Sequence, residues 1–226
     1  MATALLLIDL QRDFCSPGGY AHRAGIDITR TQAVVAHARR LLLAARAQGL
    51  LVVHTREGHV PSLIDCPAAK LQRSVDAGAP IGSLGPMGRL LVRGEHGHGI
   101  VDELTPAAGE FIIDKPGYGA FHQTRLGNVL AAHGIERLVV AGVTTEVCVH
   151  STLREAVDRG YLCTTVSDAT AASQPELQAP ALAMIGVEGG IFGRVLDTDA
   201  VLAEWGAPGA PAPDRVSTWM TAWTGA

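Results

Sequence analysis

The stretch LVVAGVTTEVCVHST, residues 138–152, combines an apolar run, a sharp break and the start of a helix. Its first six residues are uninterruptedly apolar, which is typical of a strand buried in a parallel sheet. From Val149 to Gly160, apolar side chains recur every three or four residues, and this spacing predicts a helix. A strand followed directly by a helix predicts an α/β fold, with Cys148 at the junction.

Cys148 is predicted to lie at or just inside the N-terminus of that helix. Backbone N–H groups in the first helical turn have no partner within the helix, and the helix dipole is positive there. We therefore expect the pKa of the Cys148 thiol to be lowered, and the same N–H groups could hold an oxyanion. The alternative is a small buried hydrophobic residue, because free cysteines are among the most buried residue types.

Five further apolar runs predict additional strands of the same sheet, and helices predicted from apolar spacing lie between several of them. Alternating strands and helices predict a mainly parallel sheet with helices on both faces and right-handed crossovers. The predicted fold class is therefore α/β, with three layers and a doubly wound, Rossmann-like sheet of six strands. The predicted strands are 4–9, 50–55, 110–114, 138–143, 161–167 and 191–196, and the predicted helices are 31–48, 124–133, 149–160 and 174–185.

Three predicted strands end in residues that can carry out chemistry. Asp9 ends the first strand and precedes a long loop, Lys115 follows the strand 110–114, and Cys148 follows the strand 138–143. Taken singly, Asp9 could be a turn or capping residue and Lys115 a solvated surface cation. Because the carboxyl ends of parallel strands meet at one edge of the sheet, where α/β proteins place their sites, we expect these side chains to meet there.

Composition excludes several classes of protein. The 226 residues carry a net charge of −4 with no basic run, so neither nucleic acid nor an anionic membrane is expected as a partner. No stretch is long enough to span a membrane, and the apolar N-terminus lacks the basic region of a signal peptide. The four cysteines form no CxxC pair, which favours a reduced, cytoplasmic setting. These are Cys15, Cys66, Cys148 and Cys163.

We expect one domain over residues 1–206, because no linker-like break divides the chain. Residues 207–226 form a tail rich in Pro, Gly and Ala, with a short apolar helix that suits packing or a subunit contact. Its apolar stripe comprises Val216, Trp219, Met220 and Trp223.

The segment 60–106 is rich in Gly and Pro and is predicted to be irregular. We expect only a short helix near 68–75 and a possible strand at 89–92. A loop of this length inside a domain is functional, contacts a neighbour, or is a loosely packed surface excursion. The sequence leaves these three alternatives open.

The residues around the three strand ends resemble the isochorismatase-like cysteine hydrolase superfamily. The motifs that carry the resemblance are DLQRDF at 9–14, IDKPGYGAF at 113–121 and GVTTEVCV at 142–149. The resemblance covers residues 3–200 and includes the strand that ends in Asp168-Ala169-Thr170. Within the superfamily, four motifs look most like biuret hydrolase and triuret hydrolase. They are REGH, DCPAAK, LVRGEHG and GVTTEVCV.

The resemblance implies a catalytic triad of Asp9, Lys115 and Cys148 that uses no metal and no other cofactor. Cys148 would attack the carbonyl of a small amide, Lys115 would support the charged site, and Asp9 would pass the thiol proton to the departing ammonia. Asp9 would then activate water to hydrolyse the thioester. The resemblance also implies a cis peptide before Thr144, which would turn the Thr144 N–H toward the Cys148 N–H and form an oxyanion hole.

The resemblance further implies a small urea-type amide, triuret or biuret, as the substrate. Phe14, Phe121, Thr145 and Glu188 are the candidate substrate-binding residues, with core packing as the alternative for the two Phe side chains and surface charge for Glu188. Glu188 stands where biuret hydrolase-like proteins carry a Gln, and a carboxylate donates no hydrogen bond unless it is protonated. This departure favours a longer substrate with more donors, such as triuret.

Other activities stay open as alternatives. Ureidoacrylate, N-carbamoylsarcosine and nicotinamide are alternative substrates, but nicotinamidases need a metal at an Asp-x-His pair. This chain has His54 and His59 there, and His54 is expected to be a core histidine or one whose tautomer is fixed by a partner. Isochorismatases proper cleave a vinyl ether without a nucleophilic cysteine, so Cys148 speaks against that reaction. A non-catalytic binding module is also possible on this fold. The resemblance suggests a homotetramer.

Overall fold

Eight strands and nine α-helices are present in residues 1–206, which are the residues that this computed structural model describes. The strands are β1 (Ala2–Ile8), β2 (Leu51–Glu57), β3 (Leu84–Gly85), β4 (Gly88–Arg89), β5 (Phe111–Lys115), β6 (Ile135–Val143), β7 (Leu162–Ala171) and β8 (Arg194–Leu196). The helices are α1 (Arg12–Cys15), α2 (Tyr20–Arg23), α3 (Ile28–Ala47), α4 (Ala68–Asp76), α5 (Leu126–Ala132), α6 (His150–Asp158), α7 (Pro175–Ile185), α8 (Val187–Gly190) and α9 (Thr198–Glu204). A 3₁₀ turn covers Asp102–Leu104, and a π-helical turn covers Thr145–Val149.

Six strands form one parallel sheet in the order β5-β2-β1-β6-β7-β8, which confirms the predicted fold class. The chain builds outward from β1 to β2 and β5, then returns to the other side of β1 and continues through β6, β7 and β8. The strand order therefore reverses between β1 and β6. In open α/β sheets, sites form at the carboxyl ends of the strands beside such a reversal. Asp9 follows β1 and Cys148 follows β6, so both lie at this point.

Side chains of β1 alternate between two hydrophobic cores, one on each face of the sheet. Leu5 and Leu7 pack with α3 and α9 on one face, whereas Leu6 and Ile8 pack with α5 and α6 on the other. Because both faces are covered, the strand is a continuous apolar run rather than an alternating one. The predicted three-layer arrangement is confirmed.

Element boundaries differ from the prediction by a few residues. The difference that matters is in β2, which continues past its predicted end at Thr55 and ends at Glu57. α3 begins three residues earlier than predicted, because the side chain of Asp27 accepts a hydrogen bond from the Thr29 N–H (3.0 Å) and caps the helix. The last strand is shorter than predicted.

The segment 60–106 packs against the domain instead of forming a loose excursion. The predicted helix is present as α4. The predicted strand at 89–92 is wrong beyond Arg89, because Leu91 has a left-handed φ of 51° and donates its N–H to the Asp13 carboxylate (2.9 Å) rather than to a neighbouring strand. Buried side chains hold this segment in place. They include Ile81, Leu90, Leu91, Val92 and Leu104.

We expect Gly142→Ala to destabilise the fold by about 3 kcal/mol. Gly142 has a φ of 128°, and a Cβ built there would lie 2.1 Å from the Ile8 carbonyl oxygen on β1. Gly134→Ala is the matched control, because Gly134 also has a positive φ (60°) but nothing lies within 4 Å of its added Cβ. Urea unfolding of both variants tests this, and equal losses of unfolding free energy would contradict the steric explanation.

The predicted tail at 207–226, with its apolar stripe, lies outside the described residues. Within residues 1–206, no helix combines the length and the apolar character that crossing a membrane would need.

Candidate active site

The three predicted strand-end side chains lie in contact at the edge of the sheet. The Lys115 ammonium lies 2.7 Å from the Asp9 carboxylate and 3.5 Å from the Cys148 sulfur. Asp9 and Lys115 are completely buried, and Cys148 is 5% exposed. Lys115 is therefore a buried cation between a carboxylate and a thiol, and the alternative of a solvated surface residue is wrong.

Asp9 is held in an uncommon backbone conformation, with a φ of 53°. Thr55 on β2 fixes it twice: its hydroxyl donates to the Asp9 carboxylate (2.6 Å) and accepts from the Asp9 N–H (3.1 Å). Left-handed φ values at residues other than Gly cluster at functional sites, where surrounding structure holds them. Burial raises the pKa of Asp9 above its ordinary value against the opposing effect of Lys115. A carboxylate with a raised pKa is a better proton acceptor.

Two charged residues that the sequence analysis did not assign complete the site. Glu57, the last residue of β2, lies 2.6 Å from the Lys70 ammonium and 3.3 Å from that of Lys115. Lys70 contacts Oε1 of the Glu57 carboxylate, and Lys115 contacts Oε2. The thiol of Cys148 also donates to Oε2, at 3.2 Å. Both new residues are at least 95% buried. Glu57 and Lys70 lie in the REGH and DCPAAK motifs, which were the available signal.

The charges of this buried cluster cancel when Cys148 is a neutral thiol. Asp9 and Glu57 supply two negative charges, and Lys70 and Lys115 supply two positive ones. Burial raises the pKa of the Cys148 thiol well above its ordinary value; Glu57 and Asp9 add to the rise, whereas Lys115 opposes it. The expected lowering of this pKa is therefore wrong for the free protein, because burial disfavours the thiolate and two buried carboxylates add to that effect.

The site holds an ammonium group where three metal-ligating side chains converge. Donor atoms of Asp9, Glu57 and Cys148 lie within 4.8 Å of one another, and no other such group of three occurs in residues 1–206. The Lys115 ammonium already binds all three of them, at 2.7, 3.3 and 3.5 Å. A divalent cation at that place would have to displace a buried lysine, so these residues do not suit a resident metal.

The two histidines of the nicotinamidase alternative have other partners. His54 is buried, and its Nε2 lies 3.0 Å from the carboxylate of Glu110, the residue before β5. This contact confirms that His54 is a core histidine with a fixed partner. His59 is also buried, and its Nδ1 lies 3.3 Å from Asp65.

A cavity of about 280 Å³ opens directly onto Cys148. Thr144 and Phe14 line it, in agreement with their predicted places. The peptide bond between Val143 and Thr144 is cis, as the resemblance implies, and Cys148 lies in the π-helical turn that leads into α6. The other residues of the wall are Tyr20, Ile26, Glu57, Lys70, Arg73, Ser74, Ile81, Tyr118, Val147 and Ser173.

Three of the predicted substrate-binding residues do not line this cavity. Phe121 is in the core, where it stacks on Tyr161 at 6.1 Å between ring centroids. Thr145 is fully buried, and its hydroxyl donates to the Gln178 amide oxygen (2.8 Å). Glu188 is exposed in α8, where its φ of 49° departs from helical geometry, and it does not line the cavity. Tyr118, three residues before Phe121, lines the cavity instead, together with Phe14 and Tyr20.

This chain is similar to known proteins in both sequence and fold. A family model described as the isochorismatase domain matches residues 3–200. Ureidoacrylate amidohydrolase RutB of Serratia proteamaculans (strain 568) is 35% identical over 211 residues, which cover 91% of this chain and 84% of that protein. Similarity of this kind extends over nearly the whole described part of the chain.

Two solved structures have the same fold. A cysteine hydrolase from Pseudomonas syringae pv. phaseolicola 1448A is 29% identical, with a TM-score of 0.75 and coverage of 90% of this chain and 92% of that chain. N-carbamoylsarcosine amidase from Thermoplasma acidophilum is 25% identical, with a TM-score of 0.68 and coverage of 88% and 98%.

Proposed function

We propose that this chain, which belongs to the isochorismatase family and is a cysteine amidohydrolase of that family, hydrolyses a small ureido acid through a thioester on Cys148. The contact of Lys115 with both Asp9 and Cys148 at the wall of a cavity carries the proposal. A nucleophile, a proton acceptor and a cation within hydrogen-bond reach are the parts that such a reaction needs. This proposal takes the place of the expected triuret or biuret, which the relatives do not support.

The first half of the reaction transfers the acyl group to sulfur. As the substrate carbonyl is attacked, the S–H bond of Cys148 breaks, the S–C bond forms, and the proton moves to Asp9. N–H groups of Thr144 and Cys148 stabilise the oxyanion, a contribution of about 2.7–4 kcal/mol per donor. Asp9 then returns the proton to the leaving nitrogen as the C–N bond breaks. Lys115 stays protonated throughout, because Asp9, Glu57 and the sulfur surround it and raise its pKa despite its burial.

The second half of the reaction restores the thiol. Water attacks the thioester carbon and gives a proton to Asp9, and the tetrahedral intermediate collapses as the S–C bond breaks. Asp9 then protonates the sulfur. Each half therefore uses the same carboxylate, first as a base and then as an acid.

The charges at the mouth of the cavity favour an acidic substrate. Arg73 lines the cavity, is exposed, and forms no salt bridge with any described residue; its polar contact is with the Tyr118 hydroxyl at 3.4 Å. A guanidinium without an acidic partner is suited to a carboxylate. The relatives named for ureidoacrylate and N-carbamoylsarcosine act, by those names, on molecules that combine a ureido group with a carboxylate. Triuret and biuret carry no such charge.

We expect Arg73→Met to raise KM for a ureido acid about tenfold, with little change for biuret, because only the acid loses a charged partner. Arg137→Met is the control, since Arg137 is exposed at the start of β6 and does not line the cavity. Steady-state ammonia release from both substrates provides the measurement. An equal effect on both would contradict the assignment of Arg73 to a substrate carboxylate.

Ammonia release from a substrate panel tests the proposed function. The panel comprises ureidoacrylate, N-carbamoylsarcosine, biuret, triuret and nicotinamide, each with and without a chelator. Turnover of the two acids that resists the chelator is the expected result. Preference for biuret or triuret would overturn the acidic substrate, and loss of turnover with chelator would overturn the metal-free mechanism.

A further inference from the structure

Both the backbone and the carboxylate of Glu57 are held by contacts with other residues of the site. Its backbone is fixed by the side chain of Gln11, which accepts from the Glu57 N–H (2.7 Å) and donates to the Glu57 carbonyl (3.0 Å). The two oxygens of its carboxylate contact different partners. Oε1 faces Lys70 at 2.6 Å, and Oε2 faces Lys115 and the Cys148 sulfur.

The hydrogen bond of the Cys148 thiol points to Glu57, although Asp9 is the acceptor in the proposed reaction. Lys115 and Thr55 hold the two oxygens of Asp9, at 2.7 and 2.6 Å. Despite its burial, Glu57 has a pKa held below the ordinary value by Lys115 and Lys70, so it stays ionised beside the sulfur. The site thus contains a second carboxylate that contacts the reacting atom but is a poor base.

Charged and titratable groups surround the sulfur or line the cavity that opens onto it. Two carboxylates and two ammonium groups form its buried surroundings, and the remaining groups lie on the cavity wall. These groups are Asp9 directly after β1, Glu57 on β2, Lys70 and Arg73 on α4, Lys115 on β5, Tyr20 on α2, and Tyr118 in the loop after β5.

We propose that the Glu57–Lys70 pair is a positioning device that keeps Cys148 a neutral, hydrogen-bonded thiol in the free enzyme, so that the thiolate forms only when a substrate carbonyl is present. The negative charge of Glu57 disfavours the thiolate form of the adjacent Cys148 sulfur. Lys70 partly neutralises Glu57 and so weakens this repulsion. Once substrate is bound, the developing charge moves to the oxyanion, and the proton moves to Asp9. The inference rests on the proposed role of Cys148 as nucleophile.

The two members of the pair have opposite effects, and this makes the inference testable. Glu57→Gln keeps the size of the side chain but removes the anion 3.2 Å from the sulfur, leaving both ammonium groups in place. The thiolate then forms at lower pH. Lys70→Met removes the cation that offsets Glu57, so the thiolate forms at higher pH.

The experiment is the pH dependence of iodoacetamide alkylation, measured without substrate and assigned to Cys148 by peptide mass spectrometry. We expect the midpoint to fall by at least about one pH unit in Glu57→Gln and to rise in Lys70→Met. A loosened site would let water in and lower the midpoint in both variants. Opposite shifts therefore exclude a merely structural role.

Asp114→Asn is the matched control, because it also removes a carboxylate, but Asp114 on β5 pairs with Arg56 (2.7 Å) and does not line the cavity. Its midpoint should match that of the wild type. An unchanged midpoint in Glu57→Gln, or shifts of the same sign in both pair variants, would overturn the inference. Since no turnover enters this measurement, failure here is distinguishable from failure of the proposed function, which only the ammonia assay reports.

Discussion

Replacing Cys148 with Ser is expected to lower ammonia release on the order of 10⁴-fold or more while the protein stays folded. The serine hydroxyl fits where the thiol was and can still donate to Glu57. It is a much poorer nucleophile, however, since its proton is far less acidic and the nearest proton acceptor is a carboxylate. Binding of substrate does not depend on the sulfur and should persist.

Cys163→Ser is the control for this variant. Cys163 is also a buried cysteine, but it is the second residue of β7 and does not line the cavity. Its thiol donates to the Tyr161 carbonyl at 3.7 Å. We expect full turnover per folded molecule from this variant. Thermal unfolding of both proteins separates chemistry from stability. Substantial turnover by Cys148→Ser would remove Cys148 from the role of nucleophile.

Lys115→Met is expected to inactivate the enzyme and to destabilise the fold by about 3–5 kcal/mol at neutral pH. Lys115 is completely buried, and its ammonium lies between Asp9 and Glu57. Without it, Lys70 alone would face two buried carboxylates, and one of them would take up a proton. Arg40→Met is the control for loss of a cation, because both members of the Arg40–Asp199 pair are exposed and the pair should contribute less than about 1 kcal/mol.

The pH dependence of the Lys115→Met deficit follows from linkage. A buried carboxyl group without its cation has a folded-state pKa above the unfolded value, so its penalty is absent below the unfolded pKa and grows as pH rises through the folded pKa. The loss of unfolding free energy relative to wild type should therefore be smaller at pH 5 than at pH 8. Denaturant unfolding at the two pH values measures this. A deficit independent of pH would mean that buried charge is not its cause.

The meeting of Asp9, Lys115 and Cys148 could be predicted because it depends on topology. Each residue ends an apolar run long enough to identify as a strand, and parallel strands bring their carboxyl ends to one edge. The side chains that line the cavity could not be predicted from hydrophobic periodicity, because it does not show which loop residues face the cavity. Tyr118 and Phe121 lie in one turn-rich loop, and nothing in their spacing indicates that Tyr118 faces the cavity while Phe121 enters the core.

Glu57 and Lys70 were missed for different physical reasons. The apolar run of β2 ends at Thr55, yet hydrogen bonds to β5 extend the strand to Glu57. Thr55 and Glu57 are two residues apart on that strand and therefore face the same side as Asp9 and Lys115. Lys70 lies on a short helix within an irregular segment, where sequence patterns do not define which side chains turn inward. Because the sequence did not reveal Glu57 beside the sulfur, the helix N-terminus and Lys115 alone predicted a lowered pKa for the Cys148 thiol.

Mass spectrometry of the enzyme, quenched with acid during turnover of a ureido acid, tests the central claim most directly. The account predicts an added acyl group on the peptide that carries Cys148, absent from Cys148→Ser and lost when the thioester is cleaved with hydroxylamine. An adduct on any other peptide, or wild-type ammonia release from Cys148→Ser, would contradict it.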